Sequence, residues 1–125
     1  MPTLEDAKAQ KVDEIIMYDG SNAVNEFSIG GVPMWLDKAT RAGLLLRFEA
    51  EGKVGRTETT LWNNGQSYTL PLEQAQQILI ALELYASACY DNTQSHIAAV
   101  MALESKEAVE SYDYTTGYPA KLAFN

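Results

Sequence analysis

The spacing of apolar residues divides the chain into segments of helical period and segments that alternate as strands do. Thr3 with Asp6 resembles a capping box with Asp in place of Glu. Behind it Leu4, Lys8, Lys11, Val12, Ile15 and Ile16 form one stripe, which predicts a helix to about Tyr18. The turn cluster Asp19-Gly20-Ser21-Asn22 stops it, within residues 1–20 or so. Residues 24–36 read as strand except at Gly30-Gly31, and so predict a hairpin. Asp37 suits the N-cap of a helix to about Glu51 that carries Leu44, Leu45 and Phe48, with Gly52 placed to end it. A second hairpin has strands 57–62 and 66–70 around Asn63-Asn64-Gly65, whose Asn-Gly is a strong hairpin signal. Pro71 suits the start of a helix in which Leu72, Ala75, Ile78, Leu79, Leu82, Ala86, Cys89 and Tyr90 share a face. Ile97, Val100 and Met101 continue that face, past a break expected near Asp91-Asn92. Ser105 is placed to cap a short last helix to about Tyr112. The predicted order is α-ββ-α-ββ-α, an α+β fold in which a small, mainly antiparallel sheet from two β-hairpins packs with three or four helices.

Sliding the chain against itself by 34 positions sets Phe27 on Leu61, Gly31 on Gly65, Met34 on Tyr68, Leu36 on Leu70, Leu44 to Leu46 on Ile78 to Ile80, and Phe48 on Leu82. Each copy is a hairpin followed by a helix. Hydrophobic patterning alone aligns any two such units, so a duplication and a coincidence of pattern both fit. In either case Phe27, Met34, Leu36, Leu61, Tyr68 and Leu70 fall on one row of the strands, and that row is expected to face inward. Trp35 and Trp62, the only tryptophans, fall on the opposite row beside Ser28, Thr60 and Thr69. They are exposed if that row meets solvent, and core if a helix covers it.

Composition adds bounds. With 125 residues, 46% of them hydrophobic and 21% charged, the chain has enough apolar surface for one folded domain, taken as residues 1–125 around a hairpin-helix core at 24–103. Nine Lys and Arg against seventeen Asp and Glu give a net charge of −8, which repels nucleic-acid phosphates and anionic membranes alike. Apolar runs such as Ile78 to Leu82 are far shorter than the roughly 20 residues of a transmembrane helix. The start Met1-Pro2-Thr3-Leu4-Glu5-Asp6 lacks the basic and apolar regions of a signal peptide, and one cysteine allows no internal disulfide. A soluble intracellular protein is the expectation.

No catalytic or metal-binding spacing stands out. His96 lies seven residues after Cys89, about 10 Å along a continuous helix and too far for a dyad. Its helical neighbours Asn92, Thr93, Ala99 and Val100 offer no metal ligand, so His96 reads as a surface or boundary histidine and Cys89 as a core residue. Asp13-Glu14, Glu49 with Glu51, and Glu104-Glu107-Glu110 read as solvated helix faces. Gly52-Lys53-Val54-Gly55-Arg56 lacks P-loop spacing and reads as a connection. No cofactor is implied. The segment 104–125 carries Tyr112, Tyr114 and Tyr118 within seven residues, then Pro119 and Phe124, a composition suited either to docking on a partner or to packing on its own chain.

The hairpin ending Trp35-Leu36-Asp37, the Thr40-Arg41 helix, the stretch from Leu61 to Leu70 and the long helix through His96 resemble domain-of-unknown-function family 4376 over roughly residues 24–103. The tail resembles gut-bacterial versions of such sequences. The resemblance implies a bacteriophage or prophage domain associated with tails and tail fibres, with no established activity. It places the protein in the host cytoplasm during assembly and, if it leaves with the particle, in the virion. The expected function is therefore non-enzymatic: a tail or virion component, or a tail-fibre assembly factor, that binds a phage structural or fibre protein and self-associates. Trp35, Trp62, Tyr112, Tyr114 and Tyr118 are the residues expected to make that contact. Two other classes remain open: a small enzyme built on a carboxylate pair, and an acidic mimic of DNA.

Overall fold

The computed structural model describes residues 3–125. The elements are α1 (Leu4–Asp19), α2 (Asn22–Asn25), β1 (Phe27–Ile29), β2 (Val32–Met34), α3 (Lys38–Lys53), β3 (Glu58–Asn63), β4 (Gln66–Pro71), α4 (Leu72–Met101), α5 (Lys106–Glu110) and β5 (Ala123–Phe124). The class is α+β. The chain divides into two compact units. A helical unit takes the residues up to Glu26 and Ala86–Lys121; a hairpin unit takes Phe27–Tyr85 and Leu122–Asn125. The long helix α4 contributes to both.

The sequence predicts one small sheet from both hairpins; in the structure the hairpins belong to two separate sheets. β3 and β4 form a two-stranded antiparallel ladder, whereas β1 and β2 join β5 in a three-stranded sheet of order β2-β1-β5. β5 runs parallel to β1, with Ser28 beside Ala123 and Ile29 beside Phe124. No apolar alternation announces so short a strand; its backbone bonds from Ser28 and Gly30 to Leu122 and Phe124 define it.

Shifted by 34, the two hairpins coincide in register. Phe27↔Met34 and Ile29↔Val32 become Leu61↔Tyr68 and Asn63↔Gln66. Both turns place their two central residues at positive φ, Gly30 and Gly31 at 57° and 82°, Asn64 and Gly65 at 51° and 79°, which is the pattern of a type I′ turn. The helices that follow begin at Lys38 and Leu72, also 34 apart. The inward row behaves as the alternation predicts. Phe27, Met34 and Leu61 are buried with Phe48, Leu72, Ala75, Ile78, Leu79 and Leu82, and Leu36, Tyr68 and Leu70 pack against them.

In place of one core there are two clusters. The second, in the helical unit, joins Ala7 and Ile15 of α1 to Val100 and Val109, flanked by Leu4, Val12, Ile97, Tyr112 and Tyr114. Ile16, part of the predicted stripe, is exposed.

The caps explain the helix limits. Thr3 and Asp6 form the capping box, Asp6 N donating to Thr3 Oγ1 at 3.1 Å and Thr3 N to Asp6 Oδ2 at 3.0 Å. Asp37 Oδ1 accepts from Thr40 N at 2.7 Å, a bond that holds the Asp37 carboxyl below its usual range. α3 runs past Gly52. It ends where Gly55, at φ 82°, donates to Gly52 O while Arg56 N donates to Glu51 O, the paired bonds of a Schellman motif. α4 continues unbroken through Asp91 and Asn92, and Pro71 closes β4 instead of opening that helix. Asn92 Nδ2 donates to Thr116 O at 2.8 Å and the buried Thr93 to Asp19 Oδ1 at 2.8 Å, so polar residues of modest helix propensity are held by tertiary partners. Residues 22–25, partly read as strand, form the one-turn helix α2.

Candidate binding site

In the hairpin unit the turn chemistry fixes which side chains face out. Because Leu61 and Asn63 share the inward row, Trp62 between them projects to solvent with 68% of its surface exposed. Trp35, just past β2, is 49% exposed. Of the two sequence alternatives for the tryptophans, the exposed one holds. An indole in water is an uncommon use of the largest apolar side chain and a frequent mark of a contact surface.

Beside β3 opens a cavity of about 200 Å³. Phe27, Ile29, Leu44 and Leu61 form part of its apolar lining, with Trp62 and Asn63 on the β3 side and Thr40 and Arg47 on α3. Trp35 does not line it. Arg47 is fixed by its neighbours. Its Nη2 donates to Thr59 Oγ1 at 2.7 Å and to Thr60 O at 2.5 Å, and its Nε to Glu51 Oε1 at 3.3 Å.

Glu51 is only 8% exposed, against the solvated position expected for it. Thr59 Oγ1 donates to its Oε1 at 2.8 Å and Arg56 Nη1 to its Oε2 at 3.4 Å. The Thr59 hydroxyl, followed by Arg47 and Arg56, holds the carboxyl below its ordinary value against the opposing effect of burial. Every oxygen of this carboxylate is occupied by a structural donor, so the group stiffens one end of the cavity wall and presents no free acid or base.

The tail tyrosines lie in the other unit and are turned inward. Tyr112 packs on the helical cluster and shares a 2.6 Å hydrogen bond with His96 Nδ1. Tyr114 and Tyr118 meet Tyr18 edge-on at 5.6 and 5.5 Å, and Lys11 Nζ lies over the Tyr114 ring at 5.6 Å. Thr93 spends its one hydroxyl proton on Asp19, so Tyr118 OH donates to Thr93 Oγ1, at 2.7 Å. Burial raises the Tyr118 phenol above its ordinary value. The packing alternative thus describes this segment. The structure does not bring the tyrosines and tryptophans together in one unit.

His96 is buried rather than at a boundary, with 7% exposure. Its Nε2 lies 2.7 Å from Thr116 O, which can only accept, so the ring carries its proton there; in the neutral ring Nδ1 accepts from Tyr112 OH. Asp113, whose carboxyl is held below its usual range chiefly by the hydrogen bonds from Thr115, closes the turn. Cys89 is buried, as its place in the stripe predicts. No group of three His, Cys, Asp or Glu side chains suited to a metal ion occurs among the described residues. No helix of the described residues is long and apolar enough to cross a membrane.

The cavity and the Arg47–Glu51–Thr59 cluster had no local signal. Arg47 and Thr59 are twelve residues apart and face each other only after α3 and β3 pack. The 34-residue repeat was the usable clue, because it aligns β3 with β1 and so marks where the two hairpins differ. No family model, curated protein or solved structure matches the chain.

Proposed function

We propose that this protein works by binding another polypeptide, as a non-enzymatic accessory protein of a bacteriophage or prophage tail or virion. It is either a structural component or a fibre assembly factor. The observation that carries the binding half of this reading is the exposure of both tryptophans, with Trp62 at the rim of an apolar cavity in the hairpin unit. An aromatic anchor beside a preformed apolar recess is the usual core of a protein-binding surface. The phage setting rests on the sequence resemblance over residues 24–103. Trp35 and Trp62 are retained as contact residues; Tyr112, Tyr114 and Tyr118 are assigned to holding the tail.

The test is made on particles from an induced or infected host, with the chain quantified by mass spectrometry in particles and lysate. Recovery in the particles, or in a stable lysate complex with a phage structural or fibre protein, supports the reading. The double variant Trp35→Ala/Trp62→Ala is expected to abolish that association while its melting temperature stays near that of the parent. A chain absent from the particles and present only free in the lysate overturns it.

A further inference from the structure

The two hairpins match in register, turn and helix start, and differ at one edge. On β1 the edge turned away from β2 is occupied: Ser28 N donates to Leu122 O at 3.1 Å and Gly30 N to Phe124 O at 2.7 Å. The Phe124 ring meets Phe27 edge-on at 6.2 Å. β3 stands where β1 stands in the repeat, yet its sheet has only β4. The equivalents of the two donors are the N–H groups of Trp62 and Asn64. Leu61 and Asn63 are the repeat equivalents of Phe27 and Ile29, whose main-chain bonds point to the partner strand, so the Trp62 N–H turns outward. Thr60 O, one step back along the same edge, is already capped by Arg47, which limits the open edge to the Trp62–Asn64 end. Phe124 lies beside Ile29 and over Phe27, and the equivalent pair Asn63 and Leu61 both line the cavity. Phe27 and Ile29 line the same cavity from β1 without Phe124 entering it, whereas on β3 Trp62 lines it together with Leu61 and Asn63, so an aromatic ring added at that edge would sit against the cavity's β3 wall.

We propose that the outer edge of β3 takes an extended segment of a partner polypeptide, in parallel, with the pattern Leu-x-Phe. The Leu and Phe carbonyls accept from Trp62 N and Asn64 N, and the Phe side chain enters the cavity. The occupant's chemistry is read from the segment Leu122-Ala123-Phe124, which fills the equivalent edge of β1. Main-chain pairing supplies affinity and the aromatic recess supplies selectivity, as in other cases of strand addition. This inference rests on reading the Trp62 side as a protein-binding surface and names the kind of segment it takes.

The probe is a synthetic peptide copying residues 119–125, capped at both ends, added to the full chain. Saturable binding is expected, with slowed amide exchange at Trp62 and Asn64. Replacing the peptide's Phe by Ala should weaken binding about tenfold, as expected for the loss of an anchoring aromatic. Thr40→Phe, which fills the cavity from the exposed start of α3, should do the same in a variant that circular dichroism shows to be folded. Trp62→Pro, which removes one outward donor, supplies a second variant at the edge. Any of three results overturns the proposal: no binding at about 1 mM peptide, the range of negligible affinity; altered exchange at Ser28 and Gly30, meaning that the peptide replaces β5; or occupation of the β3 edge by a second copy of the chain. If the peptide fails while Trp35→Ala/Trp62→Ala still abolishes association with the phage protein, the strand-addition mode is rejected and the binding function stands. If that double variant leaves the association intact, the tryptophan surface is rejected as the contact, and the strand-addition proposal falls with it.

Discussion

Glu51 and His96 are both polar and both buried, where the linear pattern reads a solvated face for one and a surface or boundary position for the other; Glu51 is held by donors four to eight residues away and His96 by groups sixteen and twenty residues away. For Glu51 the consequence is a pH dependence with a definite sign. Its carboxyl is depressed in the folded chain, first by the Thr59 hydroxyl, so its stabilising contribution is complete above the ordinary carboxylate range. That contribution fades as pH falls through the lowered value. Glu51→Gln keeps an acceptor for Thr59 but loses the charge facing Arg47 and Arg56. Denaturant unfolding across a series of pH values should show the variant less stable at neutrality, with a shallower acid limb. Parallel curves for parent and variant would remove Glu51 from the acid response. For His96 the expected effect is structural. His96→Leu leaves Tyr112 OH without its ring partner and costs Thr116 O one of two donors, the other being Asn92 Nδ2. A loss of about 1 kcal/mol is expected for part-buried hydrogen bonds of this kind. Amide exchange should show the opening confined to the 112–118 segment and its contacts; an unaltered tail would mean that the tyrosine packing suffices without the imidazole.

At the scale of elements, the matching turns make the 34-residue repeat testable. Both positions of each turn have positive φ, and a Cβ added at Gly31 or Gly65 meets nothing within 4 Å, so only the backbone opposes it. Gly31→Ala and Gly65→Ala should each cost about 1–2 kcal/mol, the penalty for an L residue in the left-handed region. Gly30→Asn should be nearly neutral, because Asn64 occupies its repeat equivalent at φ 51°. Equal and large losses for all three in chemical denaturation would show that the first turn has a different requirement from the second. Much of this level was legible in the sequence. The capping box at Thr3, the Asp37 cap, the Asn-Gly turn and the inward row from Phe27 to Leu70 are local patterns, and local patterns survive folding. β5 was not legible because two residues have no period and depend wholly on β1 for their bonds. The unbroken α4 was hidden because Asp91-Asn92 looks like a break until Thr116 supplies a partner for Asn92 and Asp19 one for the neighbouring Thr93. The cavity was hidden for a related reason: Leu44, Leu61 and Arg47 are ordinary residues whose convergence is tertiary, whereas Trp62 was singled out by strand alternation alone.

For the whole molecule, the charge is distributed unevenly. The helical unit holds eleven Asp or Glu against four Lys or Arg, a net −7, while the hairpin unit holds six against five, a net −1. The tryptophans and the cavity thus belong to the unit that imposes almost no field on an approaching peptide, and the repulsion read from the total of −8 is carried by the other. Added salt should then act in opposite senses on the two. Raising ionic strength from about 0.01 M to about 0.15 M shortens the screening length from about 30 Å to about 8 Å. In the helical unit this relieves self-repulsion among acidic residues, which otherwise opposes the compact state. In the hairpin unit it weakens the pairs Arg41–Glu83, Arg47–Glu51 and Arg56–Glu51, with little repulsion to relieve in return. Amide exchange followed through the titration should show Ile15 and Val100 gaining protection while Phe48 and Leu79 stay level or lose a little. Equal gains at all four positions would mean that the two units respond to their combined charge as one body, and peptide binding at β3 would then inherit the repulsion of the whole chain.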